Sequence, residues 1–275
     1  MEAHVQWDLV AEGFRSDWTD VGAVRMHARV STRRLPPDAP RIVLVHGIGV
    51  SGRYLMPTAT RLAQIFRVYV PDLPGFGLST KPPEILDVPA LADALAAWIR
   101  AMGLGRVAFL GNSFGCQIIA ELGVRYPALI TRAVLQGPTM DPHARTAFRQ
   151  LFRWAFNSPF ERATAWTSLG SVVRQDYRDA SVRRVIATFR HALRDRIEDK
   201  LGHLDVPVLV VRGTRDPIVP QRWAEEAARR LPQGRLVVVR GAAHTMNFTS
   251  PDELARVVRP FVERDRQGSI TTRAG

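Results

Sequence analysis

Val107-Ala108-Phe109-Leu110-Gly111-Asn112-Ser113-Phe114-Gly115 is the stretch on which the fold turns. Val107 to Leu110 is a short apolar run that reads as a strand. From Phe114 to Tyr126 the pattern is helical, and it stops before Pro127. Between them, Gly111-Asn112-Ser113-Phe114-Gly115 fits Gly-x-Ser-x-Gly. The motif alone is weak. Set between a strand and a helix, it predicts a sharp turn that holds Ser113 in a strained backbone conformation. The glycines leave room for strand and helix to approach each other. The hydroxyl then stands clear at a helix N-terminus, where the dipole favours developing negative charge. The plainer role for such a serine is a helix N-cap.

Working outward, short β-branched runs at Ile42 to Val45, Val68 to Val70 and Ile130 to Leu135 read as buried strands. Pro89 to Met102 carries apolar residues at helical spacing. Arg15 to Val30 suggests two strands around Asp20-Val21-Gly22. Val206 to Val211, a helix at Gln221 to Leu231, a strand at Leu236 to Val239 and a helix at Pro251 to Val262 resume the alternation. This is the pattern of an α/β fold with a mostly parallel twisted sheet flanked by helices. Between about Pro142 and Lys200 the chain is helical and arginine-rich instead. The expected organisation is a core of residues 1–139 and 201–275, with a helical cap at 140–200.

A serine hydroxyl needs a base to become a nucleophile. His244, after the last expected strand, falls on the same sheet rim as Ser113. The other histidines (His4, His27, His46, His143, His191 and His203) read as surface or packing residues. Asp216, in Gly213-Thr214-Arg215-Asp216-Pro217, also follows a strand and can hold the imidazole. By itself Asp216-Pro217 would be an ordinary turn. His46-Gly47-Ile48-Gly49 follows the strand at Ile42 to Val45 and can aim a backbone N–H at a reacting carbonyl. Ile48 is the first choice for that donor and Gly49 the fallback; Phe114 N–H is the second donor.

The order Ser113, Asp216, His244 resembles that of the α/β-hydrolase family, and the likeness extends over about residues 20 to 265. His46-Gly47-Ile48-Gly49, Asp72-Leu73-Pro74-Gly75-Phe76-Gly77-Leu78-Ser79, the Ser113 turn and Gly213-Thr214-Arg215-Asp216 carry it. The resemblance implies the α/β-hydrolase fold with a helical cap, a nucleophile elbow and an oxyanion hole. It implies Asp72 as a loop organiser. The elbow is similar to that of the meta-cleavage product hydrolases, which cut carbon–carbon bonds and need an arginine for a substrate carboxylate. Arg178, Arg183 and Arg184 are the candidates. The chain departs from that branch at Gly49-Val50-Ser51-Gly52, Gly115-Cys116 and Thr245-Met246-Asn247-Phe248. A carboxylic-ester hydrolase is therefore the expectation, with the C–C hydrolase second. A receptor or a non-hydrolytic enzyme on the same fold is the other alternative.

In the insertion, Phe148, Leu151, Phe152, Ala155 and Phe156 share a helix face, while Arg145, Arg149 and Arg153 form a stripe on another. The plainer reading packs the apolar face and leaves the charged one solvated. The sharper one makes the apolar face a roof over an apolar or aromatic substrate. Expected substrate contacts are Gly47, Gly49, Phe148, Phe152 and Trp154, with Trp166 able to join them.

The chain has 275 residues and a formal net charge of +12, nearly all from arginine. The arginines are scattered and often lie beside acids, so a solvated surface is expected rather than a nucleic-acid site. One cysteine, Cys116, excludes an intramolecular disulfide. The acidic N-terminus is unlike a signal peptide, and no apolar run has the length of a membrane span. The expectation is a cytoplasmic enzyme without metal, cofactor, nucleic-acid or membrane partner. It acts on a small molecule, and a homodimer is open.

Overall fold

Alternation along each central strand divides the apolar residues between two cores. The computed structural model describes residues 13–263, apart from the side chains of 156–167. Strands β1 (Phe14–Val21) and β2 (Val24–Ser31) form a hairpin around Gly22. They are followed by β3 (Arg41–Val45), β4 (Arg67–Pro71), β5 (Val107–Asn112), β6 (Ile130–Gln136), β7 (Val208–Gly213) and β8 (Gly234–Val239). One eight-stranded sheet results, in the order β1-β2-β4-β3-β5-β6-β7-β8. Pairing is parallel from β4 to β8, and antiparallel at β1–β2 and β2–β4.

Val43 and Val45, Val107 and Phe109, and Val208 and Val210 face one layer of helices. Ile42 and Leu44, Ala108 and Leu110, and Leu209 and Val211 face the other. Two-sided burial explains why these strands are continuous apolar runs. Each large aliphatic side chain buried contributes about 1.5–3 kcal/mol.

Helices α1 (Met56–Leu62), α2 (Val88–Ala101), α3 (Phe114–Arg125) and, after the insertion, α7 (Gln221–Arg230), α8 (Met246–Thr249) and α9 (Pro251–Glu263) cover the sheet. Leu91, Leu95 and Trp98 of α2, Ile118 and Leu122 of α3, and Trp223 of α7 belong to the first core. Leu62 of α1 and Leu254 and Val258 of α9 belong to the second. Helix α1 was not legible beforehand: it has seven residues, including two threonines and a proline.

Between β6 and β7 lie α4 (Ala147–Ala180), α5 (Val182–Arg194) and the short α6 (Ile197–Lys200). The arginine stripe is only in part the solvated face expected of it: Arg149 is exposed, while Arg145 and Arg153 are half-buried. Arg153 pairs with Asp141 at 2.8 Å, Arg145 with Glu198, and Arg149 donates to the His143 carbonyl. Two residues of the expected apolar face are turned outward instead: Phe148 is 79% exposed and Phe152 55%. Among the described residues no helix is long and apolar enough to cross a membrane.

Candidate active site

Ser113 follows β5 directly and precedes α3, with φ 55° and ψ −116°. A non-glycine residue in that region costs about 1–3 kcal/mol and persists only where its surroundings force it. The flanking glycines supply the force through space rather than through φ. A Cβ on Gly115 would lie 2.3 Å from the Val45 carbonyl oxygen, and one on Gly111 2.8 Å from the Gly115 carbonyl carbon. Strand β3, strand β5 and helix α3 meet too closely there for any side chain. Ser113 N–H donates to the Gln136 carbonyl at 3.0 Å, which ties the turn to β6. The next residue but two, Cys116, is buried beneath it and donates its thiol to the Gly111 carbonyl. Burial pushes that thiol's pKa well up.

Asp216 and His244 lie on the loops leaving β7 and β8. Asp216 is buried. Its Oδ1 accepts the N–H groups of Ile218 (2.9 Å) and Val219 (3.0 Å), and its Oδ2 lies 2.8 Å from His244 Nδ1. A carboxylate there keeps the proton on Nδ1 and leaves Nε2 as the basic nitrogen. Arg212 fastens the Asp216 loop by donating to the Val219 and Asp216 carbonyls. The His244 carbonyl accepts Gln136 Nε2 at 2.8 Å, and Gln136 Oε1 accepts Asn112 Nδ2 at 2.7 Å. Gly137, at φ 60°, lies so close to the imidazole that a Cβ would come within 2.9 Å of His244 Cε1. Gln136 and Gly137 escaped sequence reading. Their only signal was position at the C-terminal end of a buried strand.

The third part is the loop after β3. A Cβ on Gly47 would lie 3.4 Å from Ser113 Cβ, so the loop runs against Ser113. Phe114 opens α3, which leaves its N–H among the first-turn donors without a helical acceptor. Ile48 and Ser113 line one cavity. His46 is structural: its Nδ1–H donates to the Gly47 carbonyl (2.9 Å) and its Nε2 accepts Leu73 N–H (3.0 Å). Burial pushes its pKa down, as that neutral tautomer requires. Asp72 organises the neighbouring loop, accepting Gly52 N–H and Leu78 N–H while holding Arg29 and His27. Burial would raise its carboxyl, but Arg29 and His27 hold it well below the ordinary carboxylate range.

A family model described as alpha/beta hydrolase matches residues 42–257. The chain belongs to the α/β-hydrolase family. Over 249 residues this hydrolase is 30% identical to a candidate carbamate hydrolase, RutD, of Agrobacterium fabrum, covering 82% of the chain and 94% of that protein. It is 28% identical over 256 residues to the pimeloyl-[acyl-carrier protein] methyl ester esterase of Aeromonas hydrophila, covering 82% and 96%. A solved 2-hydroxy-6-oxo-6-phenylhexa-2,4-dienoate hydrolase of Rhodococcus sp. strain RHA1 shares the fold. Its TM-score is 0.71 at 21% identity, over 89% of this chain and 97% of that one. The hydrolase is thus an enzyme with esterase-like relatives.

In this hydrolase a cavity of about 310 Å³ brings Ser113, His244, Gly47 and Ile48 together. Its far wall is apolar, formed by Met140, Leu151, Trp154, Leu169, Val173, Ile186 and Phe189 from the insertion and by Ile218 from the core. Two of the expected contacts, Gly47 and Trp154, line it; Gly49 sits at φ 72° under the Tyr177 ring instead. Phe148 and Phe152 do not line it. They edge a separate surface depression with Arg149 and Arg222. The reason is helical phase: Gln150, Leu151 and Trp154 point at the cavity, and Phe148 and Phe152 sit over a quarter-turn away. The side chains of Phe156 and Trp166 lie outside the described residues. Arg178, Arg183 and Arg184 are absent from the described cavity wall, and Arg184 donates to the Pro82 carbonyl. No cluster of metal-ligand type occurs among the described residues.

Proposed function

We propose that this chain is a serine hydrolase of carboxylic esters with a small, largely apolar or aromatic group, and that residues 140–200 act as its lid. One observation carries this. Ser113, on its strained turn, shares an apolar cavity with His244, whose Nδ1 is held at 2.8 Å by the buried Asp216. Ser113 Oγ attacks the carbonyl carbon as His244 Nε2 takes its proton. The N–H groups of Ile48 and Phe114 hold the oxyanion. His244 then returns the proton to the departing alkoxide, leaving an acyl-enzyme. Water repeats the sequence from the same base and releases the acid. The chain's own residues and water complete the cycle.

The named methyl ester esterase among the relatives supports an ester as substrate. A C–C bond hydrolase of vinylogous diketo acids would need a cation for the substrate carboxylate, and the described wall carries no arginine or lysine. The test is a panel of esters of graded acyl length set beside a diketo-acid ring-fission product, with Ser113→Ala as control. Ester turnover that Ser113→Ala abolishes supports the reading. Preference for the diketo acid, or turnover surviving in Ser113→Ala, overturns it.

A further inference from the structure

The mechanism leaves one buried cluster unused. Asp176, on α4, is 1% exposed, and both its oxygens point at the loop after β3. Ser51 N–H donates to Oδ2 at 2.8 Å. Ser51 Oγ and Arg53 Nη1 both donate to Oδ1 at 2.8 Å. Next to it, the Tyr177 ring lies so close over Gly49 that a Cβ there would come within 2.9 Å of Cε2. These contacts bridge more than a hundred residues of sequence. They land on the loop that presents Ile48.

An oxyanion donor works only within about 2.7–3.1 Å of the place where negative charge develops. The loop contains Gly47, Gly49 and Gly52, three positions whose backbone no side chain of their own restrains. From the sheet side, His46 holds the Gly47 carbonyl and Asp72 takes Gly52 N–H at 2.7 Å, which leaves the stretch between them to be fixed otherwise. From the other side the restraint comes from α4. We infer that Asp176, with Tyr177 beside it, is a positioning residue that fixes the oxyanion loop, so that α4 sets transition-state stabilisation as well as roofing the cavity. The inference rests on Ile48 as the oxyanion donor of a Ser113 esterase.

Such a role acts on the transition state more than on ground-state binding. The test uses the full-length enzyme with p-nitrophenyl butyrate as substrate. Butylboronic acid serves as a probe whose tetrahedral adduct on Ser113 presents an oxyanion. Asp176→Asn replaces an acceptor oxygen by a donor against three donors. It should lower kcat about tenfold, a fraction of the loss from deleting a donor outright, with KM within about twofold. Affinity for the boronic acid should fall in parallel. Ser51→Ala, which removes one bond to Asp176 and the 3.3 Å cap on Arg53 N–H while keeping the Ser51 N–H bond, should do the same about threefold. Should Asp176→Asn fail to fold, Ser51→Ala decides. Unchanged kcat and boronic-acid affinity in the folded variants, or a loss confined to KM, overturns the inference. If Ser113→Ala keeps its turnover, the esterase reading itself has failed.

Discussion

The sheet rim and the helical insertion hold the same cavity in different ways. On the rim, Ser113, Asp216 and His244 are placed by strand ends, by glycines with no room for a Cβ and by backbone hydrogen bonds. On the insertion side the wall is made of apolar side chains, and the link to the oxyanion loop is one carboxylate, Asp176. Their buried aspartates show the same contrast. Asp72, with Arg29 and His27 at hand, stays ionised well below the ordinary range. Burial pushes Asp176 up to about 6, although Ser51 and Arg53 oppose it. Arg53 is also shared with Asp179. The rim is held by backbone and close packing; one of the insertion's fastenings is a carboxylate pushed up towards neutral pH.

If that contrast is right, rim substitutions should stop the enzyme and insertion substitutions should tune it. The largest effect belongs to Ser113→Ala, expected to cut ester turnover by about 10⁴-fold with circular dichroism unchanged. Gly137→Ala should follow at about 10²-fold in kcat, because the added methyl displaces the imidazole. Wild-type kcat in that variant would show the rim to be more yielding than described. On the insertion, Trp154→Ala should leave an acetyl ester nearly unaffected. It should lower kcat/KM for longer acyl esters by about 5- to 50-fold, the worth of a few lost apolar contacts. Equal losses across the panel would place Trp154 outside the acyl path.

The smallest effect separates the two carboxylates by pH. Asp176 holds its proton more tightly when folded. Its contribution to stability is fullest below the ordinary aspartate range, drains away as pH rises to about 6, and is level above. Asp72 has the opposite sign: its contribution is present above the ordinary range and is lost as pH falls through and below it. The Tm difference between wild type and Asp176→Asn should therefore be larger near pH 4 than near pH 7, and that for Asp72→Asn larger near pH 7. Thermal melts across that range check both, and parallel curves would break the distinction.

The same contrast governs what could be read from the sequence. The strands at Ile42 to Val45 and Val107 to Leu110 were legible because burial on both faces leaves an unmistakable apolar run. Ser113 and Asp216 were legible because each follows such a run, and His244 because it follows the apolar but half-buried edge strand β8. The insertion was legible as helical, but not in phase: Phe148 and Phe152 look as apolar as Leu151 and Trp154, and only tertiary placement tells which pair meets the cavity. Asp176 was hidden for a related reason. Its partners are more than a hundred residues away, and an acid in an arginine-rich helix gives no local sign of them.

Cys116 is the chain's sole thiol, and it lies sealed directly under the Ser113 turn. That makes the enzyme its own gauge of integrity. An alkylating reagent added to the native protein should find nothing to react with until the elbow itself comes apart. The labelling rate under native conditions therefore times the opening of the part of the molecule on which Ser113 depends, without any engineered reporter.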